Sequence, residues 1–138
     1  MTPEELNAKN AHLLPGHIGI RITLIRDSEV RVELALNQSH MARNGYLHAG
    51  TVVTCADTAC GHGCMANLPA KAIGFTTIEL KSNHLGTARE GVIESVARPV
   101  HMGKTTQVWD ATVYDKGSGK TLALYRCTQM ILYPSANT

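Results

Sequence analysis

Between Asn44 and Gly61 the chain reads Asn-Gly-Tyr-Leu-His-Ala-Gly-Thr-Val-Val-Thr-Cys-Ala-Asp-Thr-Ala-Cys-Gly. The run describes a loop, a helix start crowded with small residues, and one carboxylate, Asp57, about two turns in. The first N–H groups of a helix have no partner inside it and lie at the positive end of its dipole. Those of Ala49 and Gly50 can therefore hold an oxyanion, a role whose removal raises a barrier by roughly 3 kcal/mol. Asp57 has Val53, Thr54, Cys60 and Gly61 as its neighbours three and four residues away. A lone acid in such a stretch can serve as a base or a nucleophile. The plainer alternative is an acid bonded to a nearby hydroxyl or backbone group.

Other side chains around this run invite chemical readings and have ordinary ones. His48, at the helix start, either fixes the turn with its ring or joins the chemistry. Cys60 and Cys64 share a helical face, but His62 points to the opposite side. Zinc sites take four ligands and no fourth is evident nearby, so no metal is predicted. Cys55, Cys60 and Cys64 read as small core residues. Of the four cysteines, these three fall within ten residues on one helix. A disulfide framework is not laid out that way, so reduced thiols and a cytoplasmic location are expected.

The elements that position these groups follow from hydrophobic period and turn signals. Residues 1–13 form a short polar helix, an extension closed by Leu14-Pro15-Gly16. Strands are predicted at 17–25 and 30–36, with Arg26-Asp27-Ser28 between them. In the second, Val30, Val32, Leu34 and Leu36 alternate with Arg31 and Glu33. A polar loop over 37–47 leads into a helix over 48–67. Gly61 and Gly63 each cost about 1 kcal/mol against Ala there, so the helix needs outside support, and its small residues imply that surrounding backbone comes close. Four more strands are expected at 73–84, 91–101, 105–115 and 121–133. This order predicts one domain over 1–138, an antiparallel sheet wrapped around one buried helix. A sheet edge left over predicts self-association.

Several classes are excluded. The net charge is +2 with signs interspersed, and the six aromatic residues form no basic stacking pattern, so no nucleic-acid partner is expected. No apolar run approaches the ~18 residues of a membrane span, and no membrane partner is expected. The start, Met1-Thr2-Pro3-Glu4-Glu5, is acidic where a secretory leader is basic.

Three motifs together resemble the hotdog-fold acyl-CoA thioesterases, in particular the phenylacetate-pathway (PaaI-like) branch. Leu47-His48-Ala49-Gly50 with Ala56-Asp57-Thr58-Ala59 is similar to L-H-G-G…A-D-T-A. Thr77-Ile78-Glu79-Leu80-Lys81-Ser82-Asn83-His84-Leu85 is similar to T-V-E-L-K-x-N-F-L. His101-Met102-Gly103-Lys104-Thr105 lies where that family has a basic turn. The resemblance spans about residues 15–133.

It implies an α+β hotdog fold, a sheet of about five to six strands around one long helix, in a homodimer or homotetramer. It implies hydrolysis of an aryl- or medium-chain acyl-CoA, with no cofactor because CoA is part of the substrate. Asp57 matches the catalytic carboxylate, and Ala49 the glycine whose N–H polarises the thioester carbonyl, with Gly50 beside it. Thr77 matches a hydroxyl that places the attacking water from across the subunit interface; by alternation along its strand it faces the same side as Glu79 and Lys81. Ala42 stands where some relatives carry an amide facing the thioester, and Asn44 is the nearest substitute. Gly103, Lys104 and Thr105 lie at the CoA nucleotide end, with Arg89 as a further cation, and Met65 and Phe75 either line the acyl slot or fill the core. A hotdog enoyl-thioester hydratase or dehydratase and a non-catalytic acyl-CoA-binding module remain as alternatives.

Overall fold

A computed structural model describes residues 1–135; residues 136–138 of the predicted domain lie outside that range. Two short helices, α1 (Pro3–Asn10) and α2 (Leu14–Ile18), precede β1 (Arg21–Arg26) and β2 (Glu29–Ala35). A 3-10 turn, Gln38–His40, leads to the long helix α3 (Ala49–Ala66). Four strands follow: β3 (Gly74–His84), β4 (Val92–Met102), β5 (Thr106–Asp115) and β6 (Thr121–Leu132). All six strands form one antiparallel sheet in the order β1-β2-β4-β5-β6-β3.

The sheet curls around α3, and period-2 alternation decides which side chains meet it. Val30, Val32 and Leu34 of β2 are buried, while Arg31 and Glu33 face out into ion pairs with Glu94 and Lys116. From β5 and β6 the buried side chains include Trp109, Val113, Leu122, Cys127 and Ile131. α3 meets them with Val52, Cys55, Ala56, Ala59, Cys60, Gly63 and Cys64. What comes close to the helix glycines is a side chain and not backbone: a Cβ at Gly63 would lie 2.5 Å from the Trp109 ring. Even Ala would force the helix off the sheet.

Two local predictions are corrected. Leu14-Pro15-Gly16 does not simply end the first helix; it starts α2, because proline is preorganised for a first helical turn. Gly19, at φ 99°, then ends α2 in the left-handed region, so β1 begins at Arg21 and not at residue 17. The second correction concerns β3. The register with β6 shifts between Thr77 and Glu79, leaving Ile78 as a bulge. A bulge reverses the alternation beyond it. Thr77 therefore shares a face with Leu80, not with Glu79 and Lys81; Lys81 and Asn83 line a different recess, on the outer side.

β3 is an edge strand, and large apolar side chains are exposed on and beside it: Ile78 55% and Leu80 44% within the strand, and Ile73 66% just before it. Among the described residues no helix is long and apolar enough to cross a membrane.

Candidate active site

The loop before α3 is fixed by a buried histidine. His40 Nδ1 accepts from the Asn37 N–H at 3.0 Å, so Nε2 carries the proton and donates to the Ile18 carbonyl at 2.6 Å. The His40 carbonyl in turn accepts from the His48 N–H and the Thr51 hydroxyl. These bonds tie the end of α2 to the start of α3.

At that start His48 is the N-cap, and its Nδ1 accepts from the Gly50 N–H at 2.7 Å. The ring thus fixes the turn. Gly50's N–H is already used, whereas the Ala49 N–H has no acceptor among the described residues and is exposed. Ala49 has ordinary right-handed backbone angles, so alanine in place of glycine brings no strain. Asn44 closes a turn by accepting from the Tyr46 N–H at 3.1 Å and stays exposed on the loop.

Asp57, half-buried on α3, receives a hydrogen bond at Oδ1 from the Tyr125 hydroxyl at 2.9 Å. Two recesses open beside the carboxylate. One, of about 510 Å³, is lined by Leu14, Pro15, Val53, Thr54, Thr58, Thr77 and Leu80 together with Asp57. The other, of about 280 Å³, is bounded by Pro15, Asp57, Thr58, Gly61, His62, Met65 and Phe75. Met65 and Phe75 are therefore brought together beside Asp57. Thr77 lies in the recess of its own chain's Asp57, and its hydroxyl donates to Gln129 Oε1 at 2.6 Å. His62 Nε2 lies 3.0 Å from the Asn10 amide, and burial holds this imidazole below its usual range.

The other candidates lie at the two ends of α3. Arg89 stacks over Tyr46, 5.1 Å from the ring centroid, near the helix start. Its neighbour Thr87 accepts from the Leu47 N–H there. The turn Gly103-Lys104-Thr105 sits toward the opposite end, its carbonyls accepting from Tyr133 and Ile131. Lys104 and Arg89 form no ion pair among the described residues.

All four cysteines are buried. Burial pushes Cys55 and Cys64 up to about 12 and holds Cys60 well above its usual value, whereas a hydrogen bond with Cys60 lowers Cys127. Among the described residues no group of three or more His, Cys, Asp or Glu side chains could hold a metal ion.

Comparison with known proteins is consistent with this geometry. A family model described as the thioesterase superfamily matches residues 44–122, the segment holding the helix start, Asp57 and Thr77. The chain belongs to the thioesterase superfamily. A 1,4-dihydroxy-2-naphthoyl-CoA hydrolase from Listeria monocytogenes is 32% identical over 80% of this chain and 89% of its own length. One of the same name from Escherichia coli is 30% identical over 96% of each. A mutant thioesterase from Pseudomonas aeruginosa superposes with a TM-score of 0.89 at 26% identity, covering 96% of this chain and 94% of the other. This thioesterase thus has the hotdog fold, and it is a hydrolase of that superfamily.

Two contacts beside Asp57 and Thr77 were not read from the sequence. Tyr125 and Gln129 fall on the inward positions of β6, which alternation reveals, but which helix residue each would meet depends on the strand's tilt across α3.

Proposed function

We propose that this thioesterase hydrolyses an aryl- or medium-chain acyl-CoA to the free acid and CoA, as a homodimer or homotetramer and without metal or cofactor. The observation that carries the reading is Asp57: a half-buried carboxylate with one oxygen held by Tyr125, opening on two recesses. The Pro15, Thr58, Gly61, His62, Met65 and Phe75 recess is suited to the acyl group, since most of its wall is apolar. The relatives named 1,4-dihydroxy-2-naphthoyl-CoA hydrolase support an aromatic acyl group first.

The reaction needs a water activated by Asp57 or direct attack by its carboxylate. The thioester carbonyl carbon gains a C–O bond, its oxygen takes the charge, the C–S bond breaks and the sulfur receives a proton. The Ala49 N–H is the donor proposed for the oxyanion. Eight residues separate it from Asp57, about 12 Å along the helix axis. That is too far for both to act on one carbonyl from the same helix, so the N–H is supplied by a second copy. The exposed apolar edge of β3 supports such pairing. Lys104 and Arg89 are the cations proposed for the CoA phosphates, with Gly103 and Thr105 shaping the Lys104 turn. His48 and Asn44 support the helix start and loop.

The test is a panel of acyl-CoAs read by thiol release, run with the wild type and with Asp57→Asn. The expected result is turnover of aryl or medium-chain esters, falling about a thousandfold in the variant. Full activity of Asp57→Asn would remove Asp57 from this role.

A further inference from the structure

Resting on that reading of Asp57 and Thr77, we infer that Tyr125 and Gln129 of β6 are positioning residues: one holds the carboxylate, the other turns the Thr77 hydroxyl, and together they present a single water with two acceptors. The inward residues of β6 are Tyr125, Cys127, Gln129 and Ile131, all buried and alternating along one face. Two of them reach the same recess by hydrogen bonds. Tyr125 donates to Asp57 Oδ1 at 2.9 Å, and Gln129 Oε1 accepts from Thr77 Oγ1 at 2.6 Å.

The consequence follows from donor and acceptor counts. A threonine hydroxyl has one proton and two lone pairs. With its proton given to Gln129, Thr77 can only accept from any further group. Asp57 is acceptor-only when ionised, and Tyr125 occupies Oδ1, leaving Oδ2 for the recess. A water in the recess that Asp57 and Thr77 share then donates one proton to each and directs a lone pair outward, toward a carbonyl carbon. In the step that follows, the water oxygen bonds to that carbon and its proton passes to Asp57 Oδ2. The same proton leaves on the thiolate sulfur when the C–S bond breaks. Burial, with Cys127 and Asp57 close by, pushes the Tyr125 phenol far above its usual range, so it remains a donor at every working pH.

Gln129 adds an independent sign that this strand serves more than stability. It is fully buried, and its Nε2 has no hydrogen-bond partner among the described residues. An orphan buried amide costs stability that an apolar side chain of the same shape would not. Its bond to Thr77 is the one its side chain makes.

The experiment compares Tyr125→Phe, Gln129→Met, Thr77→Val, Thr77→Val/Gln129→Met and Asp57→Asn by kcat, KM and melting temperature. The groups facing Asp57 that can titrate or carry charge are Cys60 and His62 on α3 and Tyr125 and Cys127 on β6, with Asp110 of β5 beyond Cys60. α2 and β3 contribute only Leu14, Pro15, Thr77 and Leu80 to the shared recess. Tyr125→Phe should lower kcat about tenfold and leave KM within about twofold. Gln129→Met should lower kcat by about tenfold with KM again within about twofold and the melting temperature equal or higher. It should add nothing in the Thr77→Val background.

Wild-type kcat in Tyr125→Phe and Gln129→Met, with Asp57→Asn inactive, would overturn the positioning role alone. So would equal slowing of Thr77→Val by Gln129→Met, because the amide would then act through something other than Thr77. Wild-type turnover by Asp57→Asn would instead overturn the reading beneath it, and the positioning role with it.

Discussion

At the C-terminal end of α3, Asn67 is tied down from several directions; at the start of the same helix, Ala49 is left open. The Asn67 amide donates to the Asp27 carbonyl at 2.7 Å and to the Gly63 carbonyl at 2.9 Å. Its own carbonyl accepts from Gln107, which also receives the Trp109 indole proton. At the other end of the helix, the Ala49 N–H faces solvent with no acceptor among the described residues. Unpaired end groups are common to all helices. Here the chain satisfies one end with buried side chains and spends only the His48 ring on the other, at Gly50. The sealed end holds the helix in the sheet; the open end keeps a donor available.

The comparison can be broken at either end. The larger effect on turnover should come from Ala49→Pro. Proline removes the N–H yet suits the first helical position, and His48, at φ −64° and ψ 130°, already has the backbone that a residue before proline requires. Activity should fall about a hundredfold with an unchanged melting temperature. A variant that keeps its rate would show that the open N–H plays no part. A smaller and opposite pattern is expected of Asn67→Ala. Loss of its two side-chain bonds should reduce stability by about 1–2 kcal/mol in denaturant titration, while kcat stays within about twofold. Comparable loss of rate in a folded Asn67→Ala protein would erase the contrast.

Much of this was open to reading from residue order, and the remainder was not for definite reasons. The run from Asn44 to Gly61 announces a helix with an acid in it, and α3 spans Ala49–Ala66 against the expected 48–67. Val30, Val32 and Leu34 alternate because one face of β2 is buried. The bulge at Ile78 leaves no such trace: Thr, Ile, Glu and Leu fit a strand in either register, and only the pairing with β6 decides. That single inserted residue turns Thr77 into the Asp57 recess. His40 was passed over because nothing local marks a histidine whose partner is the Ile18 carbonyl, 22 residues earlier. The Tyr125–Asp57 bond joins residues 68 apart and depends on how β6 crosses α3, a tertiary quantity.

The central claim is that Asp57 of one copy works on a carbonyl gripped by the Ala49 N–H of another. Subunit mixing tests it directly. Asp57→Asn and Ala49→Pro proteins, each strongly impaired alone, are unfolded together, refolded as a mixture, and assayed for thiol release. A mixed dimer then contains one site with both an intact Asp57 and an intact Ala49 N–H, so activity should return in proportion to the mixed species. If the two groups serve one thioester from the same chain, every site keeps a defect and the mixture stays as impaired as its parents.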